Sequence, residues 1–355
     1  MDTPAIPFSR PAPSEAPAAT PDTHLTPGLG RVAIVTGATG FIGGAVASRL
    51  RDRGWRVRGI TRPGSRKSLP AGVERVEARL VADEVTAALG RADVVIHLAG
   101  LVKAATPSLF RIANVDGTRE TAEAASRLGA RFVHVSSHAV AGPAPAERPS
   151  LENDPPNPIT SYGVSKQQAE DVVRSATELR WTILRPSAVY GGGDRAFLPL
   201  FRLARLGLFP LIQDPRVQYT LVHVDDVARA VEVAATSESA VGEAFFVGHP
   251  APVAVGEMMA ALAGVFGRRY RPVTIPSGLI WAAAMLGQGL SRCGWPQPLD
   301  GKLWRDLRAG GFVCSVGKAR RVLGFEAAIN LAEGLARTAR WYVEHRWVGP
   351  VSAGP

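Results

Sequence analysis

Residues Val32 to Gly44 read VAIVTGATGFIGG. Val32–Val35 is a continuous apolar run, as expected of a parallel strand buried on both faces. Gly37, Gly40 and Gly43 follow, and Ala45, Val46, Ala47 and Leu50 then continue at helical spacing. A strand, a tight glycine turn and a helix start together make an anion site. Glycine lets the backbone approach a pyrophosphate closely, and the first amides of the helix point at its charge. The spacing is GxxGxxG rather than GxGxxG, and three glycines alone also occur as a turn with a packing glycine. Their place between a strand and a helix is what predicts nucleotide binding.

Downstream, strands and helices alternate. Trp55–Thr61 and Val73–Ala78 read as strands, Asp83–Leu89 as a helix and Asp93–Leu98 as a strand. A helix is predicted from about Leu109 to Leu128, then a strand Arg131–Val135 ending in Ser136-Ser137. Six prolines between Gly142 and Pro158 forbid regular structure and mark a loop over the carboxyl edge of the sheet. A helix Ser161–Leu179 and a strand Trp181–Leu184 follow. This alternation predicts an α/β fold, a Rossmann-type doubly wound parallel sheet with a smaller, mainly helical C-terminal lobe. The nucleotide-binding domain is expected over 31–190, with returns to the sheet at Val222–Val224 and Ala244–Val247, and the interleaved lobe over 191–347. Residues 1–30, with scattered prolines among Ala, Ser and Thr, read as a disordered arm, and 348–355 as a tail.

With 355 residues, 46% of them hydrophobic, the chain can bury a substantial core. Two cysteines, Cys293 and Cys314, give neither a disulfide framework nor zinc spacing, and a reducing, cytoplasmic setting fits best. No apolar run approaches the ~20 residues of a membrane span. The net charge of +10 is dispersed and lacks aromatic-basic interleaving, so nucleic acid is not an expected partner. One cluster stands out beside the glycine turn. Arg49, Arg51, Arg53, Arg56, Arg58, Arg62, Arg66 and Lys67 are opposed within their own stretch only by Asp52. It reads as a solvated basic face or a phosphate-facing one.

Tyr162 and Lys166 stand four apart at the start of a predicted helix and share one face. A tyrosine with an ordinary pKa near ~10 is a poor base at neutral pH. A nearby ammonium, together with the positive ring of an oxidised nicotinamide, would favour the phenolate. Ser137 lies at the carboxyl end of a strand, where open α/β sheets place their ligands. Its hydroxyl can hold a substrate oxygen while Tyr162 exchanges the proton. YxxxK pairs also arise by chance; the strand-end serine and the proline loop make this one specific. His97 reads as a packed, hydrogen-bonded histidine. Asp225-Asp226 after His223 is expected to cap the next helix, and His138 sits beside Ser137 without a decisive sign of a catalytic role. No metal constellation emerges.

TGATGFIGG, HLAG at His97–Gly100, SS at Ser136–Ser137, YGVSK at Tyr162–Lys166, LRPSAVYG at Leu184–Gly191 and HVDDVA at His223–Ala228 occur in one order. In this the chain resembles the extended short-chain dehydrogenase/reductases, which include the NAD-dependent epimerase/dehydratases and the 3β-hydroxysteroid dehydrogenase-like enzymes. The resemblance runs from about Arg31 to Trp347. It implies that Gly37, Gly40, Phe41, Ile42 and Gly43 hold the pyrophosphate and that Leu98, Ala99 and Gly100 flank the adenosine. It further implies Tyr162 as proton donor or acceptor, Lys166 on the nicotinamide ribose, Ser137 on the substrate oxygen, and Pro186 to Val189 running past the nicotinamide.

Departures from the pattern are informative. Members that prefer NAD carry an acid after the second strand; here Thr61-Arg62 stands there. A carboxylate repels a 2′-phosphate and a guanidinium binds it, so NADP is the expected cofactor, with NAD the alternative. Arg79-Leu80 replaces the aspartate often found at the adenine. Nucleotide-sugar epimerases usually have an asparagine where Ser187 lies and an arginine where Tyr219-Thr220 lies, and Gly310–Ser315 lacks their later arginine. Ser137-His138-Ala139 lacks the Asp-Glu pair of sugar dehydratases.

The sequence thus predicts an enzyme, an NAD(P)-dependent oxidoreductase interconverting a hydroxyl and a carbonyl on a partly apolar small molecule. A nucleotide-sugar epimerase and a non-catalytic nucleotide-binding subunit are the alternatives, and a homodimer is compatible with all three. An apolar stripe, Leu279, Ile280, Trp281, Met285, Leu286 and Leu290, close to Trp295 and Trp304, either packs the small lobe, walls the substrate pocket or rests on a membrane surface.

Overall fold

The structure, a computed structural model, describes residues 28, 30–211, 213–275 and 310–349, together with 278, 279, 281, 282 and 285–287. Of the stretch 1–30 expected as a disordered arm, all but Gly28 and Gly30 lies outside the described residues, as do Ile280, Leu290, Trp295, Trp304 and Cys293.

Seven parallel strands form one sheet: β1 (Val32–Thr36), β2 (Arg56–Thr61), β3 (Glu74–Glu77), β4 (Val94–His97), β5 (Arg131–Val135), β6 (Trp181–Pro186) and, late in the chain, β11 (Glu243–Val247). Their order is β11-β6-β5-β4-β1-β2-β3. The chain therefore winds outward from β1 in one direction, then returns to β4 and winds in the other. Thr36 pairs with Ile60 on one side and with His97 on the other, so the ends of β1 and β4 diverge into two separate crossovers. That switch point is where an open α/β sheet leaves a crevice for a ligand.

The apolar runs read from the sequence are buried on both faces. One face carries α1 (Phe41–Asp52) and α7 (Val224–Thr236), packed through Val46, Leu50, Val227 and Val231. The other carries α2 (Ala82–Leu89), α4 (Gly117–Arg127) and α5 (Ser161–Ser175), through Val85, Ala122 and Val173. The expected helix at Leu109–Leu128 is broken up. A short α3 (Pro107–Phe110) enters a π-turn over Arg111–Asp116, and only then does α4 begin. The extra residue of a π-turn rotates side chains off the regular stripe, often at functional sites.

Two other expectations are corrected. Val222–Val224 does not rejoin the seven-stranded sheet: β10 (Leu221–His223) pairs with β7 (Ala188–Tyr190), a separate parallel ribbon. Ser187, between Pro186 and β7, donates its amide to the Val247 carbonyl and ends the main-sheet ladder there. The predicted Asp cap of α7 is in fact His223, whose Nδ1 accepts from the Asp225 amide at 3.3 Å. Asp226 instead accepts the amides of Ala328 and Ile329 at 3.1 and 2.9 Å, anchoring the approach to the last helix.

The lobe has its own core. Around it stand α6 (Leu198–Arg205), β8 (Phe209–Leu211), α8 (Val255–Val265), β13 (Pro272–Thr274) and α10 (Leu331–Glu344), with Phe201, Phe209, Leu262 and Tyr342 buried between them. Before α10 in the chain comes α9 (Gly317–Leu323), whose Ala319 packs into the core of the sheet rather than of the lobe. Cys314 is buried, and burial pushes its thiol up to about 12. Among the described residues no helix is long and apolar enough to cross a membrane.

The basic cluster is largely consumed by partners the local sequence does not contain. Arg49 and Arg53 both meet Glu232 of α7, whose side chain is 1% exposed. Arg56 and Arg58 meet Glu74 on β3, at 3.1 and 3.4 Å. Arg62, Arg66 and Lys67 remain on an exposed loop after β2.

Candidate functional site

The glycine turn sits at the switch point. Gly37 has φ +74°, and a Cβ there would lie 2.9 Å from the Ala99 nitrogen and from the Leu98 carbonyl carbon. Only glycine lets the turn after β1 lie against the exit of β4. The Gly40 amide donates to the Gly37 carbonyl at 2.9 Å, so it closes the turn rather than facing outward. Phe41, Ile42 and Gly43 then open α1, where N–H groups have no intrahelical acceptor. Gly40 supplies no side-chain cap and the first turn holds no acidic residue. Nothing in this turn competes with a bound anion, so the cradle fits a dinucleotide pyrophosphate.

Leu98, Ala99 and Gly100 leave β4 beside this turn, and Thr36 fixes them. Its Oγ1 accepts from the Leu98 and Ala99 amides at 3.2 and 3.1 Å and meets His97 Nδ1 at 2.9 Å. His97 Nε2 meets Thr118 Oγ1 at 3.0 Å, and burial lowers its pKa to about 3. His97 is thus the packed, neutral residue expected. Arg62 follows β2 at the same edge and is exposed, with no carboxylate partner among the described residues. Arg75 reaches under its loop, donating to Thr61 Oγ1 and the Ser65 carbonyl, each at 3.1 Å. Arg79 is tied to Glu84 on the surface.

Ser137 is the second residue after β5, and its Oγ accepts from the Ala139 amide at 3.2 Å. Thr160 caps α5 by accepting from the Gly163 amide at 3.0 Å, which places Tyr162 in the first turn. A Cβ on Gly163 would stand 2.6 Å from the Ala139 carbonyl oxygen. The glycine of YGVSK therefore allows α5 to press against the turn after Ser137. As a result the first turn of α5, which carries Tyr162, lies against the turn that carries Ser137. Burial raises the phenol above its usual range, and the nearby Ser137 hydroxyl opposes it.

Lys166, on the next turn of α5, is buried. Its Nζ donates to the Val135 carbonyl at 2.9 Å and meets His134 Nε2 at 3.3 Å. The expected lowering of the Tyr162 pKa by Lys166 is not present. The phenol is raised and the ammonium is engaged at the end of β5. Burial lowers the lysine itself to about 8, with Glu170 acting the other way.

Three supports of the site were not read from the sequence. Asn114 lies in the π-turn. Its Oδ1 accepts from the Leu101 amide at 2.7 Å, and its Nδ2 donates to the Leu101 carbonyl and to Ser165 Oγ, both at 2.9 Å. Ser165 donates in turn to the Tyr162 carbonyl at 2.7 Å, so Asn114 joins the β4 exit loop to the helix that carries Tyr162. His134 stacks on His97 at 5.6 Å and stays neutral, well below its usual pKa through burial and the charge of Lys166. Arg185, the arginine of LRPS, makes a two-pronged pair with the fully buried Glu170 at 2.9 and 2.7 Å. The signal for Asn114 was a poor helix former inside a predicted helix.

Pro186 ends β6 and Val189 lies in β7, the stretch between the sheet and the lobe. Farther along, Tyr219 and Phe312 stack at 6.3 Å, and His138 packs edge-on against Phe246 and Phe312 at 5.1 and 5.9 Å. Burial holds His138 neutral, near 4. A cavity of about 460 Å³ opens behind the first turn of α5, lined by Arg111, Ile159 and Val164 among others. None of Ser137, Tyr162 and Lys166 lines it, so it is not the reaction site.

A buried cation costs stability. The Lys166→Met protein, without cofactor, should be more stable than the parent at pH 7 by about 3–4 kcal/mol, the fall from 10.5 to about 8 taken at about 1.4 kcal/mol per pKa unit. Because the folded pKa is depressed from 10.5 to about 8, the burial penalty is complete below pH 8. It fades as pH rises from 8 towards 10.5, so the advantage should narrow over that interval. Urea unfolding at pH 7 and pH 9.5 measures both.

The fold and this edge define a nucleotide-binding α/β protein with a Ser–Tyr–Lys constellation beside its switch point. Residues 33–248 match the family described as NAD dependent epimerase/dehydratase. The chain belongs to that family, within the extended short-chain dehydrogenase/reductases. It is 33% identical over 340 residues to the ceramide reductase of Caulobacter vibrioides, covering 89% of this chain and 96% of that one. It is 32% identical to the 4-hydroxy-2-methyl-3-oxo-4-farnesyl-3,4-dihydroquinoline-1-oxide ketoreductase of Stigmatella aurantiaca, covering 85% and 93%. Among solved structures, MoeE5 in complex with UDP-glucuronic acid and NAD superimposes with a TM-score of 0.69 at 27% identity, covering 89% of this chain and all of that one.

Proposed function

We propose that this chain is an NAD(P)-dependent oxidoreductase that interconverts a hydroxyl and a carbonyl on a molecule with a large apolar part. The observation that carries the reading is the packing of the first turn of α5, with Tyr162, against the turn after Ser137 at the carboxyl end of β5, with Lys166 buried one turn further along α5. Tyr162 gives a proton to the substrate oxygen in reduction and takes it in oxidation. Ser137 donates a hydrogen bond to the same oxygen and orients it. The turn at Gly37–Gly43 and the Leu98–Gly100 exit would hold the dinucleotide, with Pro186 and Val189 along the nicotinamide and Lys166 at its ribose. The bound nicotinamide supplies or accepts the hydride, and in its oxidised form adds a positive charge that favours the phenolate. Asn114 and Ser165 hold the backbone of Tyr162 while the proton moves.

The apolar substrate is supported from two sides. Where nucleotide-sugar enzymes bring cations to a diphosphate, this chain has Tyr219 stacked on Phe312, and Thr220 is buried, accepting from the Cys314 amide at 3.1 Å. The two relatives named above are a ceramide reductase and a ketoreductase of a farnesyl-bearing ring. Long-chain and polycyclic ketones should therefore consume reduced cofactor. Tight binding of a UDP- or GDP-sugar to the cofactor-loaded protein would replace this reading with the epimerase one.

Arg62 supports a preference for NADP. Arg62→Ala should weaken NADPH binding by roughly 1.5–3 kcal/mol, the value of a hydrogen bond to a charged group, and leave NADH nearly unchanged. Calorimetry with both cofactors decides; equal losses, or tighter NADH binding by the parent protein, would sink the assignment.

A further inference from the structure

We infer that the outer edge of the C-terminal lobe is a docking surface for an anionic phospholipid bilayer. Two stretches build this edge. Residues 195–211 contain three arginines and 258–275 contain three, and neither stretch contains an aspartate or a glutamate. The fold brings parts of them side by side: β13 pairs with β8, Pro272 opposite Phe209 and Val273 opposite Pro210. The turn after α6 and the turn after α8 therefore meet, and Arg268 Nε donates to the Arg205 carbonyl at 3.3 Å.

That edge is apolar at its crest and cationic around it. Leu206, Leu208 and Val273 are 63%, 49% and 57% exposed. Arg268, Arg269 and Arg271 are exposed beside them. Past β13 the exposed apolar residues continue, with Leu279 and Leu286 about two-thirds exposed and Trp281 about half. On α6, Arg202 stands four residues before Leu206 and so shares its face. Arg202 Nε donates to the Trp347 carbonyl at 3.2 Å, beside an open cavity of about 390 Å³ that Arg195 and Arg346 also line.

Leucines held in water next to guanidinium groups match the layered chemistry of a membrane surface, with phosphates outside and acyl chains below. Tryptophan suits the level between them. An acidic protein partner would satisfy the arginines but leave no reason for the run of exposed apolar residues beyond β13. A bilayer satisfies both, and it is where a substrate with a long hydrocarbon part resides. The docking does not require the hydroxyl–carbonyl chemistry to be right, and its test reads no turnover.

Flotation with vesicles of phosphatidylcholine alone, and of phosphatidylcholine mixed with phosphatidylglycerol, tests it on the full chain. The protein should float with the anionic vesicles, much less with the neutral ones, and less as salt is raised. Combining Arg268→Glu, Arg269→Glu and Arg271→Glu should weaken binding at least about a hundredfold, at about fivefold per arginine. Leu206→Ser with Leu208→Ser should abolish the part of the binding that survives high salt. Both variants should keep the parent's melting temperature and its stabilisation by NADPH or NADH, since these side chains lie outside the core and the cofactor turn. Failure of the parent to float, equal flotation with both vesicle types, or parental binding by the triple variant would overturn the inference. So would a change in sedimentation coefficient of either variant, which would make the edge a contact between copies of this chain.

Discussion

Tyr162→Phe should lower turnover by about 10²–10⁴-fold while leaving cofactor affinity nearly intact. In the proposed mechanism the phenol is the group through which a proton reaches the substrate oxygen, and phenylalanine keeps the ring that packs at 6.3 Å against Phe110. The loss should therefore fall on kcat rather than on folding or dinucleotide binding. Steady-state rates with an apolar ketone, together with titration of the cofactor, separate the two. Near-parental turnover would rule out Tyr162 as the acid–base group. The apo phenol is raised by burial, so activity in the oxidative direction should climb with pH until a bound oxidised cofactor and Ser137 hold the phenolate.

Glu170→Ala should destabilise the protein by about 3–5 kcal/mol, because Arg185 would remain buried without its counter-charge. The Glu170 and Arg185 side chains are 0% and 3% exposed, and Arg174 adds a further contact to the carboxylate at 2.9 Å. Arg185 also donates to the Glu152 carbonyl at 3.3 Å, so the pair pins the proline loop as well as α5 to the sheet. Burial alone would raise the Glu170 pKa, but hydrogen bonding and charge from Arg185 outweigh it and leave it lowered. A lowered carboxylate contributes stability above its ordinary pKa and loses it as pH falls through the folded value. The acid side of the stability profile should thus be flatter in Glu170→Gln than in the parent. Urea unfolding from pH 7 down to pH 3 measures both effects; a loss below ~1 kcal/mol for Glu170→Ala would show that Arg185 finds water or another partner.

The local order of the chain was enough to place the glycine turn after β1, the parallel sheet, Ser137 past the end of β5, and Tyr162 and Lys166 on the first turns of α5. These rest on short-range rules: an apolar run buried on both faces, glycine where the backbone turns, and a cap followed by a four-residue spacing. Sequence also carried the departures at Arg62, Tyr219 and Thr220, since residue identity alone decides whether a carboxylate or a cation is there. It misjudged what depends on neighbours distant in the chain. The basic run from Arg49 to Lys67 looked opposed only by Asp52 because Glu232 and Glu74 join it only through packing. Lys166 looked like the partner of Tyr162, yet its ammonium turns to the Val135 carbonyl and His134, groups some thirty residues away. The cap of α7 fell to His223 because Asp226 was drawn to the amides at 328 and 329. Asn114 acquired its place only because a π-turn rotates it between the β4 exit and α5. Buried polar groups take whichever partners the packing brings within reach, since an unpaired one is costly, and no periodicity along the chain encodes that choice.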